Sequence, residues 1–185
     1  VQERQACAAI QYMERSIFID DNGVVLDIRS GADLTGMVVI RGVAVSTMTL
    51  GETLGVQDEY QLSAMTVLLK NLLSSNQIVN IREIDMTSTM DIVLITHEGM
   101  ILRIGQAHEL TEKFELAQGV IADLANQGIV DGVINVTNVK SASYAPFPQE
   151  EGEEDIPAEE EQDGAPDEEQ GEPDDPAENG GTPGL

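Results

Sequence analysis

From Glu150 to Leu185 the chain carries sixteen Asp or Glu residues and not one Lys or Arg, together with five prolines and six glycines. Its only large aliphatic residues there are Ile156 and Leu185. A segment of this kind buries too little apolar surface to offset the entropy of ordering it, and its like charges repel. Folding is thereby confined to the residues before it, and positions 146–185 read as a disordered acidic Pro/Gly tail. The remaining length suits one domain with one core.

That domain holds all nine basic residues beside eighteen acidic ones and has no proline from Val1 to Ala145. Trp is absent and aromatics are few, so the core must be aliphatic. A negative body with a more negative tail argues against nucleic acid, whose phosphates need clustered Lys and Arg, and against an anionic lipid surface. The single cysteine, Cys7, excludes an internal disulfide and reads as a half-buried small residue. The longest apolar stretch, Met37–Ser46, is interrupted by Arg41 and is far shorter than the roughly 20 residues a membrane helix needs. The chain opens directly on strand-like sequence at Ala6–Ile10, which suggests a preceding part carrying any anchor.

Periodicity supplies the elements. Ser16–Ile28 reads as a β-hairpin, because Asn22-Gly23 lies between the apolar runs Ile17–Ile19 and Val24–Leu26 and favours a type I′ turn. Residues 31–57 are a Gly-punctuated crossing with one short strand at Val38–Ile40. Asp58 is a plausible N-cap for a helix whose stripe is Leu62, Met65, Leu69 and Leu72, widened by Leu68 and Leu73. Ile78–Met86 and Asp91–Thr96 read as strands. The first changes phase between Val79/Ile81 and Ile84/Met86, which implies a bulge near Arg82-Glu83. His97-Glu98-Gly99 turns the chain into Met100–Ile104. A second amphipathic helix spans Glu109–Asn126, and a last strand, Val133–Val139, follows Gly132. The fold class is α+β: a mixed or antiparallel sheet with two amphipathic helices on one face.

Catalytic signatures are missing from the pattern. His97 and His108 are each followed by Glu, but their spacing matches no metal or nucleophile motif. Asp20-Asp21-Asn22 lacks the Gly spacing and closing Glu of a calcium loop. No catalytic residue, metal site, cofactor or small-molecule substrate is expected. A secreted cell-wall or carbohydrate-active enzyme using a carboxylate pair is the alternative from another class, and cation binding by the tail is a third. A better offer is backbone: Val133–Val139 has one polar face and would accept a partner's strand if it lies at an edge, or pairs on both sides if it does not.

Several segments in order resemble the FtsQ/DivIB family of bacterial cell-division proteins. Val1-Gln2-Glu3-Arg4 resembles the V-x-E-R that closes its POTRA domain, and Ile19–Leu26 its I-D-x-x-G-x-V-L hairpin. Met37–Val43 is similar to L-P-x-I-x-G-L, with Val38 in place of Pro. Ile92–Thr96, Gly99 and Ile104-Gly105 match a strand, turn and strand; Lys113 stands where a Lys opens the second helix. Gly128–Val136 resembles G-x-x-x-x-x-I-D-V, with Asn135 for Asp. The resemblance implies the end of a POTRA-like domain and first strand in 1–10, a β domain in 11–145 and the tail in 146–185. It also implies a non-enzymatic divisome scaffold that binds FtsB/DivIC-like and FtsL-like partners by strand addition and helps regulate septal peptidoglycan synthesis. The parent would be a single-pass protein at the extracytoplasmic face of the septal membrane. Relatives take the added strand beside the last strand of this domain, near the second helix. By position, the contact here would comprise Val133, Ile134, Asn135, Val136, Thr137, Asn138, Val139, Ser141 and Tyr144.

Overall fold

A computed structural model describes residues 4–147; the acidic tail lies outside them. The first strands, β1 (Ala8–Tyr12), β2 (Arg15–Ile19) and β3 (Val25–Ser30), form an antiparallel meander. β1 is wholly part of this sheet, so the expected boundary at residue 10 falls inside a strand. Between β2 and β3 the turn is not type I′. Only Gly23 has positive φ (73°), Gly23 N–H donates to Asp20 O, and Asp20 N–H donates to Val24 O. Asp20 Oδ1 also accepts the amides of Asn22 and Val24 at 2.9 and 2.8 Å. The buried carboxylate thus selects a three-residue loop that a two-residue Asn-Gly turn would not use.

Strand β4 (Val38–Arg41) fulfils the short-strand expectation in the crossing, which also holds a small pair, β5 (Val45–Thr47) and β6 (Gly55–Val56). Helix α1 (Glu59–Ser74) starts where predicted: Asp58 accepts from the Tyr60 amide, satisfying one of the helix's orphan donors. Met65, Leu68, Leu69 and Leu72 are buried, whereas Leu73 is 39% exposed and falls off the stripe.

The segment expected to be one strand from Ile78 begins instead as a 3-10 turn, Ile78–Asn80, with Val79 exposed. Strand β7 (Ile81–Asp85) follows. Its register against β8 (Ile92–Thr96) jumps between Ile81 and Glu83, so the bulge expected near Arg82-Glu83 is present. The extra residue brings Ile81 onto the same buried side as Ile84 and Met86, where strict alternation would have divided them. Strand β9 (Met100–Gly105), helix α2 (Leu110–Asn126), β10 (Gly132–Asn138) and β11 (Ser141–Ala145) complete the order.

Nine strands form one mixed sheet in the order β11-β10-β9-β8-β7-β4-β1-β2-β3. The pairs β1–β4, β4–β7 and β9–β10 are parallel. Two crossovers, β4–α1–β7 and β9–α2–β10, step the same way across parallel strands, and the right hand such connections take puts both helices on one face. Asn71 Nδ2, 3.4 Å from Thr111 Oγ1, bridges them. Beneath the helices one register row runs through every strand: Tyr144, Ile134, Leu102, Leu94, Ile84, Ile40, Ile10, Ile17 and Ile28. Most of its members are fully buried, and each aliphatic side chain so buried is worth about 1.5–3 kcal/mol. The α+β class with a mixed sheet and two helices is therefore as expected.

Two buried polar side chains lock helices to sheet. Gln61 Nε2 donates to Gly42 O (2.8 Å) and Met86 O (2.7 Å), while its Oε1 accepts from Ala44 N–H (3.0 Å). Lys113, excluded from solvent, donates from Nζ to Ile104 O and Gln106 O, both at 2.9 Å. Burial pulls its ammonium below the usual lysine range, partly opposed by Glu109. Both sit on an apolar helix stripe, where the polar group must find buried partners.

Candidate functional site

The last two strands decide where the sheet is open. β10 lies between β9, its parallel neighbour, and β11, its antiparallel one. The edge position considered for Val133–Val139 is thereby overturned: Val133, Ile134 and Asn135 are paired on both sides, Asn138 pairs with β11 beyond a bulge, and Ile134 and Val136 are fully buried. A hairpin through Asn138, Val139 and Lys140 returns the chain, with Asn138 Oδ1 accepting the Lys140 amide at 2.9 Å. This side-chain-backed turn supplies β10 with a partner that weak alternation in Ser-Ala-Ser-Tyr-Ala concealed. Of the nine positions expected in the contact, only Ser141 and Tyr144 lie on the outermost strand. Val133 and Asn135 pair across to Ala145 and Ser143.

β11 is held down by its alternate residues. Ala142 and Tyr144 point to the helix side and pack on the core, beside α2; Ser141, Ser143 and Ala145 are exposed. Tyr144 O–H donates to Asp131 O at 3.1 Å, and its ring lies over Gly132, whose φ is +123°. A Cβ there would stand 2.5 Å from Tyr144 Cε2 and 2.9 Å from Ala145 O. Glycine is what allows the edge strand to lie this close.

Among the described residues no strand pairs with the outer side of β11. Alternate N–H and C=O groups of an antiparallel edge strand face away from its only neighbour, so β11 presents a row of open donors and acceptors beside uncharged side chains. The opposite edge, β3, differs. Val25 N–H donates to Glu52 O and Gly51 N–H to Val25 O, covering its first half. Its second half carries the Asp27–Arg29 ion pair, with Arg29 stacked 5.3 Å from the Phe18 centroid. Charge and cover blunt that edge.

The other candidates are not drawn together. His97 lies in the β8–β9 turn and His108 in the β9–α2 connection, at opposite ends of β9; His108 Nδ1 is 3.2 Å from Glu109 Oε2. A cavity of about 910 Å³ is bordered by Arg4, Asp20, Asp21, Leu73 and Val79. Its buried carboxylate, Asp20, accepts Arg4 and two backbone amides, so it ties the β2–β3 loop to the segment before β1. Cys7, also at this cavity, has its thiol pushed up to about 12 by burial and then by Asp21 and Asp20. Among the described residues no three His, Cys, Asp or Glu side chains gather as a metal site, and no helix is long and apolar enough to cross a membrane.

No curated protein matches the chain. A family model described as "Cell division protein FtsQ/DivIB, C-terminal" matches residues 8–137, from the first residue of β1 to the penultimate residue of β10. The matched region contains the complete helix-covered sheet except its outermost strand, and on this ground the chain belongs to the FtsQ/DivIB family of cell-division proteins.

Proposed function

We propose that this chain is a non-enzymatic scaffold of the divisome that receives a strand from FtsB/DivIC-like and FtsL-like partners along β11. By holding them it helps regulate septal peptidoglycan synthesis at the extracytoplasmic face of the division septum, in a parent protein attached to the membrane by an N-terminal anchor. Family membership supports the cell-division role and protein partners in general, and members of the family are non-enzymatic. The observation that carries the contact is the open outer side of β11, flanked by uncharged Ser141, Ser143 and Ala145. Backbone hydrogen bonds along such an edge give affinity, and alternate side chains give specificity. Ser141 and Tyr144 remain in the proposed contact. The β10 positions support it from behind, since their own backbone groups are engaged.

The test is proline substitution at Ala142 and, separately, at Ser143 in the full chain. Neighbouring residues of an antiparallel strand direct their N–H groups to opposite sides, so one of the two variants removes an outward donor and the other a donor to β10. The outward variant should retain its circular dichroism spectrum and urea midpoint while losing capture of the DivIC-like partner's extracytoplasmic domain. If both variants fold and both still capture it, the contact is elsewhere. Changes at Val136 would not serve, because that side chain is fully buried.

A further inference from the structure

Helix α2 packs on β10 and against β11, and its outer flank describes what kind of strand fits beside them. At about 100° per residue, Glu112, Leu116, Val120 and Asp123 fall at spacings of four, four and three on a single stripe. The opposite flank is turned to α1: Thr111 meets Asn71, and Phe114, Gln118 and Ile121 border a cavity of about 290 Å³ shared with Leu72. The Glu112–Asp123 stripe therefore lies on the side of β10 and β11, on which α2 packs. Leu116 and Val120 are half-buried against the same core on which Ala142 and Tyr144 pack. Glu112 and Asp123 are exposed at the two ends of this ledge, and Asp131 is exposed beside Tyr144.

We infer that the strand accepted by β11 is amphipathic and basic: apolar at alternate positions, where it lies under Leu116 and Val120, and flanked by Lys or Arg that meet Glu112, Asp123 and Asp131. This rests on the strand-addition reading above and names the chemistry of its occupant. Alternation follows from the period of a strand, which sends every second side chain toward α2. The basic flanks follow from the rim, where three carboxylates face one cation, Lys140 of the hairpin turn. A strand with acidic ends would meet like charge on approach.

The probes are two blocked synthetic peptides with the same alternating Val-Thr centre, one with paired Lys at each end and one with paired Glu, titrated onto the full chain by fluorescence anisotropy. A Lys-ended peptide with a proline-interrupted centre measures attraction by charge alone. The Lys-ended strand peptide should bind at least about tenfold more tightly than both others at low ionic strength, with the gap narrowing as salt rises. In the Glu112→Gln/Asp123→Asn variant its affinity should fall about fivefold, the range of two exposed ion pairs. Leu116→Ser should weaken it as well. Equal binding of Lys- and Glu-ended peptides, no response to the neutral rim, or failure of both peptides where the DivIC-like partner still binds would overturn the basic-strand inference alone. Strand-peptide binding that survives both β11 prolines would overturn the edge reading with it.

Discussion

Substituting Gly132 by alanine should detach the outermost strand, because three atoms of β11 occupy the space a side chain would need. The new Cβ would lie 2.5 Å from Tyr144 Cε2, 2.9 Å from Tyr144 Oη and 2.9 Å from Ala145 O. The tyrosine ring can swing aside, at the loss of its hydrogen bond to Asp131 O, about 1 kcal/mol. Ala145 O is backbone and moves only if β11 separates from β10. At φ +123° alanine also sits outside the regions open to residues with a Cβ, adding about 1–3 kcal/mol. Together these amount to about 2–4 kcal/mol, read as a lowered urea midpoint at unchanged m. Native-state hydrogen exchange should further show Ser141–Ala145 losing protection before Ile10, Ile17 and Ile40, since the damage is confined to one edge. Adding Tyr144→Leu to Gly132→Ala should recover less than about 1 kcal/mol, because it relieves the ring but neither the carbonyl nor φ. A loss under about 1 kcal/mol, or exchange spread evenly over the sheet, would refute the argument that this glycine seats the edge strand.

Gln61→Leu should cost about 2–4 kcal/mol by urea unfolding, since Met86 O and the Ala44 amide lose their partner in part-dry surroundings while exposed Gly42 can turn to water. Lys113→Met keeps the stem but strips Ile104 O and Gln106 O; a loss of about 1–3 kcal/mol is expected, and an unchanged midpoint would show that water replaces the ammonium. Cys7, whose thiol moves from 9.0 to about 12, should react with iodoacetamide at pH 8 about a thousandfold more slowly in the folded chain than in urea, because the thiolate is the reactive species. Equal rates would mean that the segment around Cys7 opens freely.

How much of this was legible beforehand follows from the range over which each signal acts. Asp58, the spacing of Met65, Leu69 and Leu72, the phase change at Arg82, and the Gly99 turn are local facts of chain chemistry, and each reappears in the fold. The tight β1–β2 connection was not, because Met13, at φ 54°, carries none of the usual turn residues. Gln61 left a readable trace, a polar residue on an apolar stripe, though nothing local names Gly42, Ala44 and Met86 as its partners. At Asn22-Gly23 the local preference was legible but yielded to Asp20, whose carboxylate captures two amides of the turn.

Charge partition and hydrophobic period, written into the linear chain, settled that residues before the tail form an aliphatic α+β domain with two amphipathic helices. Which strand closes the sheet was decided only in three dimensions. Val133–Val139 has the pattern of an edge strand, half polar and half apolar, yet Asn138 folds Ser141–Ala145 back along it. Period reports which side of a strand is buried. It is silent about who lies alongside, because lateral hydrogen bonds use backbone groups that every residue shares.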